Sequence, residues 1–162
     1  MEFFIQQLIN GITLGGLYAL IALGYTMVYG IIQLINFAHG EIYMIGAFTG
    51  LIVISVLTML GWNSIAIIVL AALIAMLYSA AYGFTIEKIA YKPLRGSQRL
   101  SALISAIGMS LFLQNYVLLA QTSNFLPYPN LVPTLDFLKP YEHIVRSTEI
   151  VIYIATALVM VL

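Results

Sequence analysis

Cysteine is absent from the 162 residues, which excludes disulfides, thiolate nucleophiles and cysteine-ligated metal, and leaves the redox compartment open. Charge is almost as scarce. Only 7% of residues are Asp, Glu, Lys or Arg, against about 25% in a typical soluble domain, and the formal net charge is zero. With no basic tail or patch of excess charge, no nucleic-acid partner is expected. Neither a GxxxxGK[ST] loop nor an HExxH pair occurs, so nothing marks a nucleotide site or a zinc site in this chain. No nucleophile motif is present either, and no catalytic residue is expected. What the sequence does have is hydrocarbon: 62% of residues are hydrophobic, which defines an integral membrane protein with lipid as its immediate partner. The first apolar run is too long for a signal peptide and no basic stretch precedes it, so a separate leader is not expected.

Hydropathy and punctuation predict an all-α polytopic membrane protein with about four complete transmembrane helices and a truncated fifth. The spans fall at residues 12–32, 42–60, 64–86, 101–120 and 150–162. Residues 1–10 carry Glu2, Gln6, Gln7 and Asn10 among apolar side chains, as an interfacial helical start would. In the first span Gly11, Gly15, Ala19, Ala22, Thr26 and Gly30 recur in steps of three and four, so they share one helical face. Ala71, Ala75, Ser79 and Gly83 do the same in the third. Such stripes let a neighbouring helix approach closely in lipid, where packing substitutes for the hydrophobic effect. In the fourth span Ser101, Ser105 and Gly108 share a face.

The loops set orientation. Gly61-Trp62-Asn63 is a tight turn with an indole suited to the headgroup layer. The stretch EKIAYKPLRGSQRL holds Lys88, Lys92, Arg95 and Arg99, four of the chain's six basic residues, with Pro93 and Gly96 breaking the helix. The positive-inside rule makes this loop cytoplasmic. Residues 121–148 are polar, contain four of the five prolines, and read as an external loop with a short re-entrant or surface segment near residues 131–138.

The joint between the first two spans, INFAHGEIYMIGA, is the chemically distinctive stretch. Asn36, His39, Tyr43, Gly46 and Gly50 share a face by the same stepping, whereas Glu41 lies roughly 200° around from His39. A metal site or acid–base dyad made of His39 and Glu41 is therefore not expected. Two compatible readings remain. Asn36 can cap the second span, with Glu41 in its first turns where the helix dipole favours an anion. Alternatively the joint is an intramembrane break, with Asn36, His39, Tyr43 and Gly46 lining or framing a path; ionisable groups within a membrane default to function. Residues 12–60 would run roughly 73 Å as straight helix against about 60 Å for two crossings, which fits a turn and does not require a break.

Three segments resemble one family: TLGGLYALIALGYTMVYGIIQLINFAHGEIYMIGA (residues 13–47), IEKIAYKPLRGSQRL (86–100) and LISAIGMSLFLQN (103–115). They are similar to the LivH-type permease of bacterial branched-chain amino acid ABC transporters. The resemblance implies a multi-pass subunit of the bacterial inner membrane that imports Leu, Ile or Val by alternating access. It implies as partners a second related permease, two cytoplasmic ATPase subunits and a periplasmic binding protein. ATP would be used by the ATPases, with no cofactor bound here. Such permeases are about twice this length, so the apolar run at 150–162 reads as a truncated span of a larger chain. Competing readings are a related permease for urea, short amides or other amino acids, an ion or proton channel relaying through His39 and Glu41, and a purely structural subunit.

Overall fold

The computed structural model describes residues 2–32, 35–122, 124, 126–132 and 146–161, with the side chains of residues 2, 31, 32 and 99 outside that description. Five α-helices follow in order: α1 (Glu2–Ile32), α2 (His39–Met59), α3 (Ser64–Ile86), α4 (Arg99–Ala120) and α5 (Ser147–Val161). The first four contain apolar stretches long enough to cross a bilayer, and α5 is shorter. At most 22% of the residues in any of these apolar windows are buried by the chain itself. Helices that are greasy on nearly every side need lipid or other helices around them, as expected for a membrane protein.

Helix α1 begins ten residues before the first hydropathy window. Glu2, Gln6, Gln7 and Asn10 lower hydropathy, but Glu and Gln are good helix formers, so polarity and helicity separate here.

Contacts divide the chain into two compact units, residues 1–26 with 130–162, and residues 27–129. In the first unit α5 meets α1 through hydroxyls. Thr13 Oγ1 and the Tyr153 hydroxyl lie 2.8 Å apart, and both donate to the Ile9 carbonyl, at 2.9 and 3.1 Å. Gly16 is the small residue at this contact: a Cβ there would stand 3.5 Å from Thr156 Oγ1. Gly15 meets no described neighbour within 4 Å, nor do Gly11 and Gly30. Of the expected packing residues Gly15, Ala19 and Ala22, only Ala19 is half-buried. Periodicity fixes which residues share a face; it does not say whether that face finds its neighbour within one chain.

The second unit is built on the α2–α3 hairpin. Gly61 adopts φ 72°, the left-handed conformation that ends a helix, and the Asn63 side chain caps α3 by accepting from the Ile65 N–H at 3.1 Å. The hairpin then packs around three glycines. Gly46 faces Ser79, Gly50 faces Ala75, and Gly83 faces Ile42. A third layer comes from α4, whose Ala106, Leu113 and Val117 join Ala38, Ile45, Ile86 and Tyr91 in one buried cluster. The face of α4 that packs is thus apolar. Ser105 flanks it, donating to the Ala90 carbonyl at 3.3 Å, and Gly108 meets no described neighbour.

The end of α3 explains the basic stretch. The helix widens into a π-helical turn, Glu87–Tyr91, and then tightens into a 3-10 turn, Lys92–Leu94. Pro93 brings no N–H to continue the ladder, and Gly96 at φ 96° turns the chain toward α4. Lys92 and Arg95 are exposed, Arg95 pairs with Glu87 at 2.6 Å, and Lys88 stands 5.9 Å from the Phe84 ring centroid. Arg95 and Lys88 thus find their partners within the same helix end.

Candidate functional site

The joint before α2 is a packed structure rather than a loose turn. Gln33 and Leu34 lie outside the described residues. From there, Asn36 folds its carboxamide forward so that Oδ1 accepts the Ala38 N–H at 3.0 Å, while its carbonyl accepts the His39 N–H at 3.1 Å. This is an Asx turn. The N-cap position of α2 accordingly falls on Ala38, which caps with no side chain, and the expectation that Asn36 is the N-cap is corrected by two residues. The physical reason lies in a second donor. The Tyr91 hydroxyl bonds Asn36 Oδ1 at 2.6 Å, which pins the carboxamide against the π-helical turn. Ala38 has no exposed surface at all and Tyr91 is buried, so the joint sits in the cluster shared by α2, α4 and the end of α3.

From this anchor α2 sends its polar groups in two directions. Glu41, in the first turn, faces α4, where Ser110 Oγ donates to it at 3.1 Å. His39 faces the opposite way, into a cleft between α2 and α3. The helical rotation between them therefore separates the two groups, and α2 itself stands in the way of a relay. A carboxylate near a helix N-terminus with a hydroxyl donor is favourably placed in a medium without free water.

The cleft has a volume of about 590 Å³. His39, Ile42, Tyr43, Gly46 and Ala47 of α2 form one wall, Ala72, Ala75, Met76 and Ser79 of α3 the other, and Tyr128 adds its phenol to the lining. The stepping that put His39, Tyr43 and Gly46 on one face thus brings them to one cavity. Asn36, the fourth member, lies outside its lining, held instead by Tyr91. The cavity is mostly hydrocarbon, with an imidazole, two phenols and one serine hydroxyl set into it. Such a surface suits a small solute with an aliphatic portion and a few polar groups. The close approach of the two helices at its floor depends on Gly46, where a Cβ would stand 2.5 Å from Ser79 Oγ.

Three participants escaped sequence reasoning. Tyr91 lay in a stretch read for its charges. Ser110 had no spacing relation to Glu41 and meets it only through tertiary packing. Tyr128 lies in the proline-rich stretch, where the flanking Pro127 and Pro129 were the available signal of a stiffly presented side chain. The surface or re-entrant segment expected near 131–138 falls, from residue 133 onward, outside the described residues.

Four bilayer-length apolar helices, with small residues at the helix contacts and a solute-sized cleft between two of them, define a multi-pass membrane protein. The chain belongs to the family described as branched-chain amino acid transport system / permease component, whose model matches residues 7–162. It is 50% identical over 161 residues to the high-affinity branched-chain amino acid transport system permease protein BraD of Pseudomonas aeruginosa, covering 97% of this chain and 52% of that protein. It is 49% identical to the LivH permease protein of Salmonella typhimurium and 48% identical to that of Escherichia coli K12, in each case over 98% of this chain and 53% of the relative. The chain therefore spans about half the length of the curated relatives it matches. No solved structure matches it.

Proposed function

We propose that the full-length protein is a permease subunit of an ATP-driven importer of branched-chain amino acids in the bacterial inner membrane, and that the α2–α3 cleft frames part of its path. The observation that carries this reading is the family match along nearly the whole chain, with relatives named as branched-chain amino acid permeases at about half identity. The cleft supports it chemically. Its aliphatic walls suit a leucine-like side chain, and fixed charges that would trap a zwitterion are few. His39, Tyr43 and Gly46 act at the cleft, while Asn36 positions the start of α2.

In this reading a second related permease completes the path, two cytoplasmic ATPase subunits bind and hydrolyse ATP, and a periplasmic binding protein delivers cargo. The basic turn around Lys88, Lys92, Arg95 and Arg99 faces the cytoplasm by the positive-inside rule. The test is ATP-dependent uptake of labelled leucine into vesicles bearing the complete complex. Uptake of urea or a short amide without uptake of leucine, isoleucine or valine would overturn the cargo. Thiol labelling of Ser97→Cys from the periplasmic side, with Asn124→Cys protected, would overturn the orientation.

A further inference from the structure

We propose that Tyr128 is the latch of a gate that closes the α2–α3 cleft, and that Gly50 is the receptor for that latch. The inference rests on reading the cleft as part of the path.

Four observations converge on this residue. Tyr128 follows α4 in the chain, yet its side chain crosses to α2, where the hydroxyl donates to the Ala47 carbonyl. The phenol lies directly over Gly50: a Cβ at that position would stand 2.9 Å from the hydroxyl oxygen and 3.9 Å from Cζ. Glycine at residue 50 thus leaves the hollow into which the ring end fits, with Ala75 Cβ on the other side at 3.9 Å. The same residue lines the cleft that holds His39, Tyr43 and Ser79.

The chain on either side is built to carry such a group. Pro127 and Pro129 fix their own φ, and each disfavours helical geometry in the residue before it, so Tyr128 rides on a stiff extended rod. Leu126, Pro127 and Pro129 are exposed, and Tyr128 itself stays half-exposed, with its hydroxyl end seated on α2. Its hold on α2 is also weak enough to release. A helix carbonyl keeps a second lone pair, so accepting from Tyr128 does not require the helix to open, and losing that bond leaves no unpaired backbone group. One net hydrogen bond shifts an equilibrium by about fivefold, a suitable size for a gate that must open in every cycle.

A purely structural tyrosine would be expected to sit in the buried cluster and to leave cleft access unchanged when its hydroxyl is removed. Tyr128 is 53% exposed and stands outside that cluster.

The experiment places a single thiol, Ala75→Cys, in the full-length protein assembled with its partner subunits, all other cysteines having been replaced. This segment contributes none of its own. The rate of modification by a small membrane-impermeant maleimide then reports access to the cleft beneath the ring. Tyr128→Phe, which keeps the ring and removes the hydroxyl, should accelerate labelling about fivefold, the factor worth one net hydrogen bond. Gly50→Ala should accelerate it similarly, by pushing the phenol out of its hollow while leaving Tyr128 intact. Both variants change few atoms, and gel filtration of the complex confirms assembly. Parental labelling rates in either assembled variant would overturn the latch. Labelling requires no cargo, so a failed leucine assignment would be seen separately in the uptake assay.

Discussion

The closest approach in the hairpin makes the sharpest stability prediction. At Gly46 an added methyl would lie 2.5 Å from Ser79 Oγ, about 0.9 Å inside the 3.4 Å at which ordinary contact begins. Its other neighbours are harmless, since Ser79 Cβ and the Ala75 carbonyl stand at 3.8 and 3.9 Å. The whole conflict therefore resides in one hydroxyl. Two escapes are available to Gly46→Ala. Ser79 can rotate away and give up its long 3.5 Å bond to the Ile42 carbonyl, or the helices can separate and loosen the Gly50 and Gly83 contacts as well. The first costs about 0.6 kcal/mol, the typical worth of a hydrogen bond between membrane helices. The second approaches the 1–3 kcal/mol typical of overpacking, so about 1 kcal/mol is expected for Gly46→Ala. Ser79→Ala removes the clashing atom, and the double variant should regain most of that loss, giving a coupling energy of about 0.5–1 kcal/mol. Reversible SDS titration of the purified full-length permease measures all four corners of this cycle. A Gly46→Ala variant as stable as the parent, or one that Ser79→Ala fails to rescue, would refute the assignment of that contact.

Other positions separate by the same geometric logic. Gly83→Ala should be neutral within about 0.5 kcal/mol in the same titration, because its methyl would meet only Ile42 Cδ1 at 3.9 Å. Asn36→Ala removes the acceptor that the Tyr91 hydroxyl and the Ala38 N–H share, which predicts a loss of about 1–3 kcal/mol. Asn36→Asp, which keeps the acceptor oxygen, should lose less, and equal losses would argue against the carboxamide oxygen as the anchor. Arg95→Ala breaks a pair whose side chains are 58% and 29% exposed, so a change below about 1 kcal/mol that shrinks further with added salt is expected. In uptake assays, His39→Ala, which leaves the Asn36 anchor in place, should lower transport, whereas unchanged uptake would argue against a role for His39 in the path.

Much of the hairpin is legible in the sequence because its signals are local. Steps of three and four are properties of one helix, so the Ala71, Ala75, Ser79 and Gly83 stripe and the His39, Tyr43 and Gly46 face follow from the order of residues. The divergence of His39 and Glu41 follows as well, since two residues of separation always turn the side chains to different sides of a helix. Turn chemistry was equally local at Gly61-Trp62-Asn63 and at Pro93 with Gly96. The start of α1 was less visible, because hydropathy stops at polar residues that the helix itself tolerates. The Gly15 stripe shows the limit from another direction: its residues share a face, and Gly11, Gly15 and Gly30 meet no neighbour within 4 Å among the described residues.

What the order of residues determined by itself is the solvent, the helices and the face on which each small or polar side chain stands. Hydrocarbon content demands a membrane, and helical rotation allots the faces. Only the tertiary structure decided which faces meet. It drew Tyr91 from a basic turn to hold Asn36, turned Ser110 toward Glu41, and laid Tyr128 across the hollow at Gly50. Each of these pairs is separated by dozens of residues, and no periodicity relates them. Their partners are chosen by how three helices pack in space, because a hydrogen bond formed between helices depends on their relative depth and rotation. Neither quantity is written in the sequence of either helix taken separately.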